Sequence, residues 1–501
     1  MSACWRAEAK ASPPNSSDRS PVTDVSEAEH GFSRWGMVIG ARRWRMRPAS
    51  FLTTLVAAGA IAVYFVPAPA GVTQETMHAA ALVLLTVGLW AIGTLPEYVV
   101  GLIFFTLAMI LAVAPADVVF SGFASSTLWL VLGGLVIATA VQRSGLADQI
   151  AGALFERFTH SYAQLVAAVV VLAIVLSFLI PATVSRTLLL VPIAAALAER
   201  VGFERGSTGY YGLVTAAIMA TYQCGTTVLT ANAPNLVLAG SAEALYRIQI
   251  TYAEYLWVQF PVLGLLKGSA IVGFVCWLFR AQMRPAQERR APAPLTPEQW
   301  RTLVILVAAL GFWVTDFLHG IKAGWIGMAA AVVCLLPRVG VMPPTAFADV
   351  RLGVYFYIGA TLGLGLVTQT TGLSQLLGQL IERALPLEQG ADFANFIKLS
   401  LFSTFAGMLS TNPAQPAVLS PLAEHFSEAT GWPLRTVLMT FGIGFTTFLL
   451  PYQVPPVLVG MQVGGVRLGT MLRLSLPLAA FGIVLMLPLQ YLWWRVIGYF
   501  G

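Results

Sequence analysis

The sequence is poor in charge and in the residues that perform metal and acid–base chemistry. Only 10% of its 501 residues are Asp, Glu, Lys or Arg, and it has five histidines and four cysteines. Soluble domains carry about 25% charged residues. So little polar surface excludes an ordinary soluble protein of this length. The cysteines, Cys4, Cys224, Cys276 and Cys334, show no paired spacing. No metal-ligand spacing, HExxH motif or cluster of His, Asp and Glu occurs, so no metal, no cofactor and no enzyme activity is expected. The alternating segments of about ten residues that build a membrane β-barrel are missing. So are the charge rings and filter repeats of a channel. The net charge of +6 reads as the arginine bias of membrane loops, and no nucleic-acid partner is expected.

What is present is apolar. Hydrophobic residues make up 57% of the chain, and the mean hydropathy is +0.76. Runs long enough to cross about 30 Å of hydrocarbon as helix recur along it, among them Phe51–Val66, Met77–Ile92, Ala163–Ile180, Trp257–Phe279 and Leu472–Trp494. The expected fold is an all-α polytopic membrane protein whose partner is the lipid bilayer. Eleven crossings are read at 51–66, 76–94, 98–114, 126–143, 208–240, 253–280, 300–317, 323–337, 353–370, 432–460 and 470–497. Segments 162–200 and 392–427 are apolar but broken by proline and polar residues. They read as re-entrant hairpins, because irregular backbone at membrane depth is tolerated where it is buried in protein or lines a cavity.

Residues 1–48 are polar and aperiodic and read as a disordered cytoplasmic extension ending in Arg42, Arg43, Arg45 and Arg47; the first apolar run begins too late for a signal peptide. With the N-terminus inside, seventeen loop arginines fall on the inner side against six Lys and Arg on the outer, which favours that orientation in the plasma (inner) membrane. A polar linker at 281–299 separates 49–280 from 300–501, and the two parts share landmarks. Gln142-x-x-Gly145-Leu146 corresponds to Gln369-x-x-Gly372-Leu373. Pro192 corresponds to Pro421, and the stretch from Asn232 to Gly240 corresponds to that from Val454 to Gly460. Five crossings per repeat require the copies to be inverted, which is a transporter signature with its site near the midplane.

Four breaks interrupt the apolar runs: Ile180–Thr187, Cys224–Asn235, Ser410–Pro416 and Pro451–Pro456. They pair under the repeat. Half-helices that start after such breaks aim free N–H groups and a positive dipole end inward, where they suit carboxylate oxygens. Arg186 lies in the first break, with no acid nearby in sequence. A guanidinium at that depth costs about 2.5–3.5 kcal/mol or more, so it must find a partner or a wet cavity; a fixed cation for an anionic substrate is the functional reading. Lys267 is expected to snorkel or to meet an acid, and Glu97 to sit at the interface.

Two inverted five-crossing repeats, each with a hairpin and a proline-broken helix, resemble the divalent anion:sodium symporter family of the ion transporter superfamily over roughly 50–500. The family's hairpin motif falls on Ala182-Thr183-Val184 and Thr411-Asn412-Pro413. Its broken-helix motif falls on Asn232-Ala233-Pro234-Asn235 and Val454-Pro455-Pro456-Val457. The resemblance implies a small anionic solute, with di- or tricarboxylates foremost, bound by Thr183, Arg186, Asn232, Asn235, Thr411, Asn412, Val454 and Pro455. It also implies ion sites at Thr183 with Ala231, and at Thr411 and Asn412 with Gln453. A homodimer and elevator-type alternating access follow from the same resemblance. The motif letters depart from the family's, and Arg186 stands where a coupling cation would bind. Exchange or proton coupling is therefore expected as readily as sodium symport, and the coupling ion stays open among sodium, a proton and a counter-anion. Inorganic anions such as sulfate remain the alternative cargo. A cation/proton antiporter would need a deep acidic pair at the breaks, which is missing.

Overall fold

The structure is a computed structural model that describes residues 48–157, 161–283, 294–409 and 411–500. The extension before Pro48, positions 284–293 of the linker, and Ser410 lie outside the described residues. Among the described residues the regular elements are all helical. The first four long helices are α1 (Pro48–Phe65), α2 (Gln74–Ile92), α3 (Glu97–Ile110) and α4 (Ser126–Ser144). They are followed by α5 (Leu146–Arg157), α6 (Tyr162–Leu179), α7 (Thr183–Arg200), α8 (Thr208–Gln223), α9 (Ala233–Tyr246) and the long α10 (Tyr252–Leu278). Beyond the linker come α11 (Pro297–Val314), α12 (Ala323–Leu335), α13 (Gly353–Thr370), α14 (Leu373–Ala384) and α15 (Asp392–Leu409). The chain closes with α16 (415–430), α17 (Leu434–Gly444), α18 (Pro455–Val463) and α19 (Leu468–Val496).

Five of these, α2, α4, α6, α10 and α19, are long and apolar enough to cross a membrane, and several others are shorter and apolar. Each span expected from the sequence falls on one helix or on a broken pair. The succession α4 to α10 is repeated in kind by α13 to α19. In both, a Gln-x-x-Gly-Leu landmark marks a turn: Gly145 and Gly372 adopt φ of +65° and +76°, a left-handed conformation that costs other L-residues more. Each turn starts a short amphipathic helix, α5 or α14, that the span reading passed over. Mixed faces of this kind lie along an apolar surface rather than crossing it.

Prolines set the breaks. Ile180 and Ala182 are extended on either side of Pro181, because a proline removes a donor and keeps the preceding residue out of the helical region. Pro234 and Pro455 occupy the first turns of α9 and α18, where a missing N–H costs nothing.

Helices α4 and α12 cross with their backbones nearly touching. A Cβ on Gly133 would stand 2.6 Å from the Gly327 carbonyl carbon, and one on Gly324 would run into the Ser126 carbonyl oxygen. Small residues permit such approaches where apolar association alone gives no driving force. Gly324→Ala is expected to destabilise the protein by about 1–3 kcal/mol through overpacking, read as a lower unfolding temperature in detergent. An unchanged temperature would show that the crossing relaxes without strain.

Candidate functional site

All four breaks meet. A cavity of about 530 Å³ has the hairpin tips and the broken-helix turns as its floor, represented by Pro181, Thr183, Asn232, Pro413, Val454 and Pro455. Its walls come from one face of α4 and from Val354, Tyr357 and Ile358 of α13; Gln142, Arg143, Asp349 and Arg351 lie at its rim. The wall approaches the floor closely, since a Cβ on Gly134 would be 2.9 Å from Pro181 Cβ.

The first turn of α7, Thr183–Ser185, opens onto this cavity. Its leading N–H groups have no intrahelical partner, so they face the space with the positive end of the helix. Across from them, Asn232 Nδ2 lacks a well-aligned acceptor, on the side of the Tyr222 hydroxyl. Asn232 Oδ1 accepts a hydrogen bond from the Thr183 hydroxyl at 3.0 Å, which turns the buried amide nitrogen toward Tyr222. The start of α18 contributes a dipole end but few donors, because Pro455 and Pro456 carry no N–H.

Arg186 lies one layer behind this floor and does not line the cavity. Its side chain is fully buried. Nη1 donates to the Ile180 carbonyl at 2.6 Å and to the Ala231 carbonyl at 2.8 Å. Nη2 donates to the Thr221 carbonyl at 3.3 Å and approaches the Thr183 hydroxyl at 3.4 Å. No acidic side chain pairs with it among the described residues. These acceptors, carbonyls from two breaks plus a hydroxyl, form the kind of oxygen set in which half-helix C-terminal ends hold a cation. Gly225 makes the room, because a Cβ there would collide with Nη2.

Lys267 answers Arg186 at the other break. It too is buried and finds no acid among the described residues; Nζ donates to the Thr446 carbonyl at 2.5 Å and lies 3.4 Å from the Thr447 hydroxyl. Thr446 follows the C-terminal end of α17, so the ammonium caps the negative end of that half-helix. The snorkelling or acid pairing expected for Lys267 is thus replaced by a carbonyl contact. A seven-residue π segment, Phe260–Leu266, directly precedes Lys267; π segments recur at functional positions.

Asn412 is buried below Pro413. Its Nδ2 donates to the Tyr222 hydroxyl at 2.8 Å and to the Phe445 carbonyl at 3.1 Å, and its backbone N–H donates to the Gln453 carbonyl at 3.0 Å. The Tyr222 hydroxyl in turn donates to Phe445 at 2.9 Å. Tyr222 therefore ties the first broken helix to the second hairpin, and it lines the cavity. The Gln453 side chain turns inward, accepting from the N–H groups of Leu449 and Leu450 at 2.9 and 2.8 Å. Asn235 faces away from the cavity and braces the 225–228 turn through the Gly225 and Val228 carbonyls. Of the residues singled out from sequence, Thr183, Asn232, Val454 and Pro455 line the cavity. Arg186, Ala231, Asn412 and Gln453 form the layer beneath it. Thr411 lies at the second hairpin tip, beside Tyr357. Sequence reasoning missed Tyr222, Lys267 and Glu97 as members of the site. A polar residue at a break edge was the available signal for Tyr222; none existed for the wall.

Paired hairpins and broken helices that enclose one cavity within an apolar helical bundle define a multi-pass membrane transporter. The chain belongs to the family described as the sodium:sulfate symporter transmembrane region, which matches residues 48–500. It is 25% identical over 398 residues to a membrane protein of Cupriavidus necator, covering 76% of each chain. It is 23% identical over 400 residues to the L-tartrate/succinate antiporter of Escherichia coli K12, covering 75% of this chain and 80% of that one. Among solved structures it shares its fold with the YdaH transporter of Alcanivorax borkumensis at a TM-score of 0.56 and 15% identity, covering 85% of this chain and 99% of that one. It shares it also with MtrF of Neisseria gonorrhoeae at 0.53 and 14%, covering 90% and 96%.

Proposed function

We propose that the protein carries small anions, di- or tricarboxylates foremost, and exchanges them for a counter-anion without requiring sodium. The observation that carries this reading is the Arg186 cage: a permanently charged guanidinium sits among the Ile180, Ala231 and Thr221 carbonyls. Oxygen ligands of that kind would otherwise recruit a metal cation. A charge built into the chain cannot be released with the substrate, so it stabilises a loaded anion without linking its transport to an ion gradient. The N–H groups opening α7 supply donors that replace the solute's lost hydration. The resemblance to a tartrate/succinate antiporter supports both the cargo and the exchange mode. Thr183, Asn232, Val454 and Pro455 are the proposed contact residues, with Arg186, Thr411 and Asn412 behind them. The hairpins and broken helices would move together against α4, α12 and α13, as an elevator in each protomer of a dimer.

Proteoliposomes loaded with succinate and offered labelled succinate, tartrate, citrate or sulfate test this. Exchange is expected in potassium medium at the rate seen in sodium medium. A strict sodium requirement would overturn the built-in cation, and counterflow with none of the four anions would overturn the anion assignment.

A further inference from the structure

We propose that Glu97 is the proton-carrying group of the cavity, so that one proton is bound there with each anion loaded. This rests on the anion-carrier reading above and adds the identity of a coupled ion. Glu97 opens α3, where sequence alone places it at the interface. The structure instead puts it on the wall of the cavity that holds Thr183, Tyr222 and Asn232. Its backbone carbonyl accepts from the Trp90 indole at 3.1 Å. Among the described residues no hydrogen-bond donor or cation meets its carboxylate.

Among the described residues that isolation sets it apart from the other acids that are not exposed. Glu243 is held by Lys322 at 2.8 Å and by the Ser126 hydroxyl at 2.9 Å. Glu254 is held by Arg435 at 3.1 Å and by Tyr499 at 2.7 Å, and Asp392 by Arg495 at 3.3 Å and by Trp432 at 2.9 Å. Around Glu97, α2 presents Trp90 and α13 presents Tyr357, a titratable group within its electrostatic reach that also adjoins Thr411 of the second hairpin. At the rim, Arg143 is taken by Asp349 at 2.6 Å, and Arg351 makes no bond to Glu97. Arg186 and Lys267 are committed to carbonyls behind the floor.

An ionised Glu97 and an incoming anion are like charges in one poorly solvated space, and each weakens the other's binding. Adding a proton to the carboxylate removes that repulsion, and binding linkage is reciprocal: the anion favours the proton as the proton favours the anion. The proton comes from water on the side where the anion loads and returns to water where the anion leaves, with no other bond made or broken. The sign is fixed: anion affinity falls as pH rises.

The test uses the purified full chain in proteoliposomes with labelled tartrate and, as a second probe, sulfate, whose charge is constant between about pH 6 and about pH 8. Apparent affinity in the wild type is expected to fall toward a limit of about tenfold per pH unit on the alkaline limb. In Glu97→Gln the affinity should lose its slope and stay near the acid-limb value while tartrate still enters. A wild type whose affinity is flat with pH overturns the proposal without reference to any variant. So does a Glu97→Gln protein that keeps the slope. In both cases the anion-carrier reading stands. Absence of tartrate and sulfate exchange at every pH overturns that reading instead, and this proposal with it.

Discussion

Arg186→Ala is expected to lower anion exchange in sodium-free medium by at least about 100-fold, which corresponds to about 2.7 kcal/mol of lost stabilisation along the transport cycle. Among the described residues the side chain has no acid to neutralise it, so its charge is compensated there by the Ile180, Ala231 and Thr221 carbonyls and the Thr183 hydroxyl. Removing it takes a positive charge from beneath the anion and leaves buried carbonyls without donors, at about 1–3 kcal/mol for each one left unsatisfied. The vacated space keeps its oxygen ligands. Sodium should therefore stimulate the variant where it does not stimulate the wild type. Arg186→Lys retains the charge but not the fork that spans acceptors from two breaks, so an intermediate rate is expected. Tartrate counterflow in matched sodium and potassium media reads all three. Full activity of Arg186→Ala without sodium would show the guanidinium to be a strut for the hairpin and nothing more.

Lys267→Met is expected to separate function from stability. Methionine has nearly the length of lysine and removes a fully buried charge, and replacing buried ions by apolar groups of similar volume is often neutral or stabilising. Against that stands the Thr446 carbonyl, which loses its 2.5 Å donor. These terms offset, and the unfolding temperature should change little. Exchange should nonetheless fall by about tenfold or more, because the second break then presents an uncompensated helix C-terminus beside the Asn412–Tyr222 junction. A variant that loses stability and rate together would mark Lys267 as structural. A variant that keeps both would remove the second built-in cation from the mechanism.

The two cations were not equally legible. Arg186 stands out in any reading of the sequence because it sits in a proline-broken turn, where a charge at depth needs a reason. Lys267 lies in an unbroken apolar helix and reads as a snorkelling residue; its partner is a backbone carbonyl some 180 positions away, and a carbonyl leaves no mark in sequence. Asn235 shows the converse. It stands in a motif position beside Asn232, yet Asn232 lines the cavity and Asn235 braces a turn. Helical spacing sends neighbours three positions apart to nearby but distinct directions, and packing decides which of them is the wall. Glu97 was legible as an acid at a helix start, but the cavity beside it is made by α13, far along the chain.

The sequence by itself determined the apolar helical fold and the positions of the breaks. Those follow from local causes: apolar length, the missing N–H of proline, and the left-handed turns at Gly145 and Gly372. The tertiary structure alone decided which polar groups share the cavity, that Arg186 and Lys267 lie behind its floor on carbonyl oxygens, and that Glu97 stands on its wall with no partner among the described residues. Hydrogen-bond acceptors on the backbone are the same at every position, so which of them a buried cation meets is set by how distant segments pack.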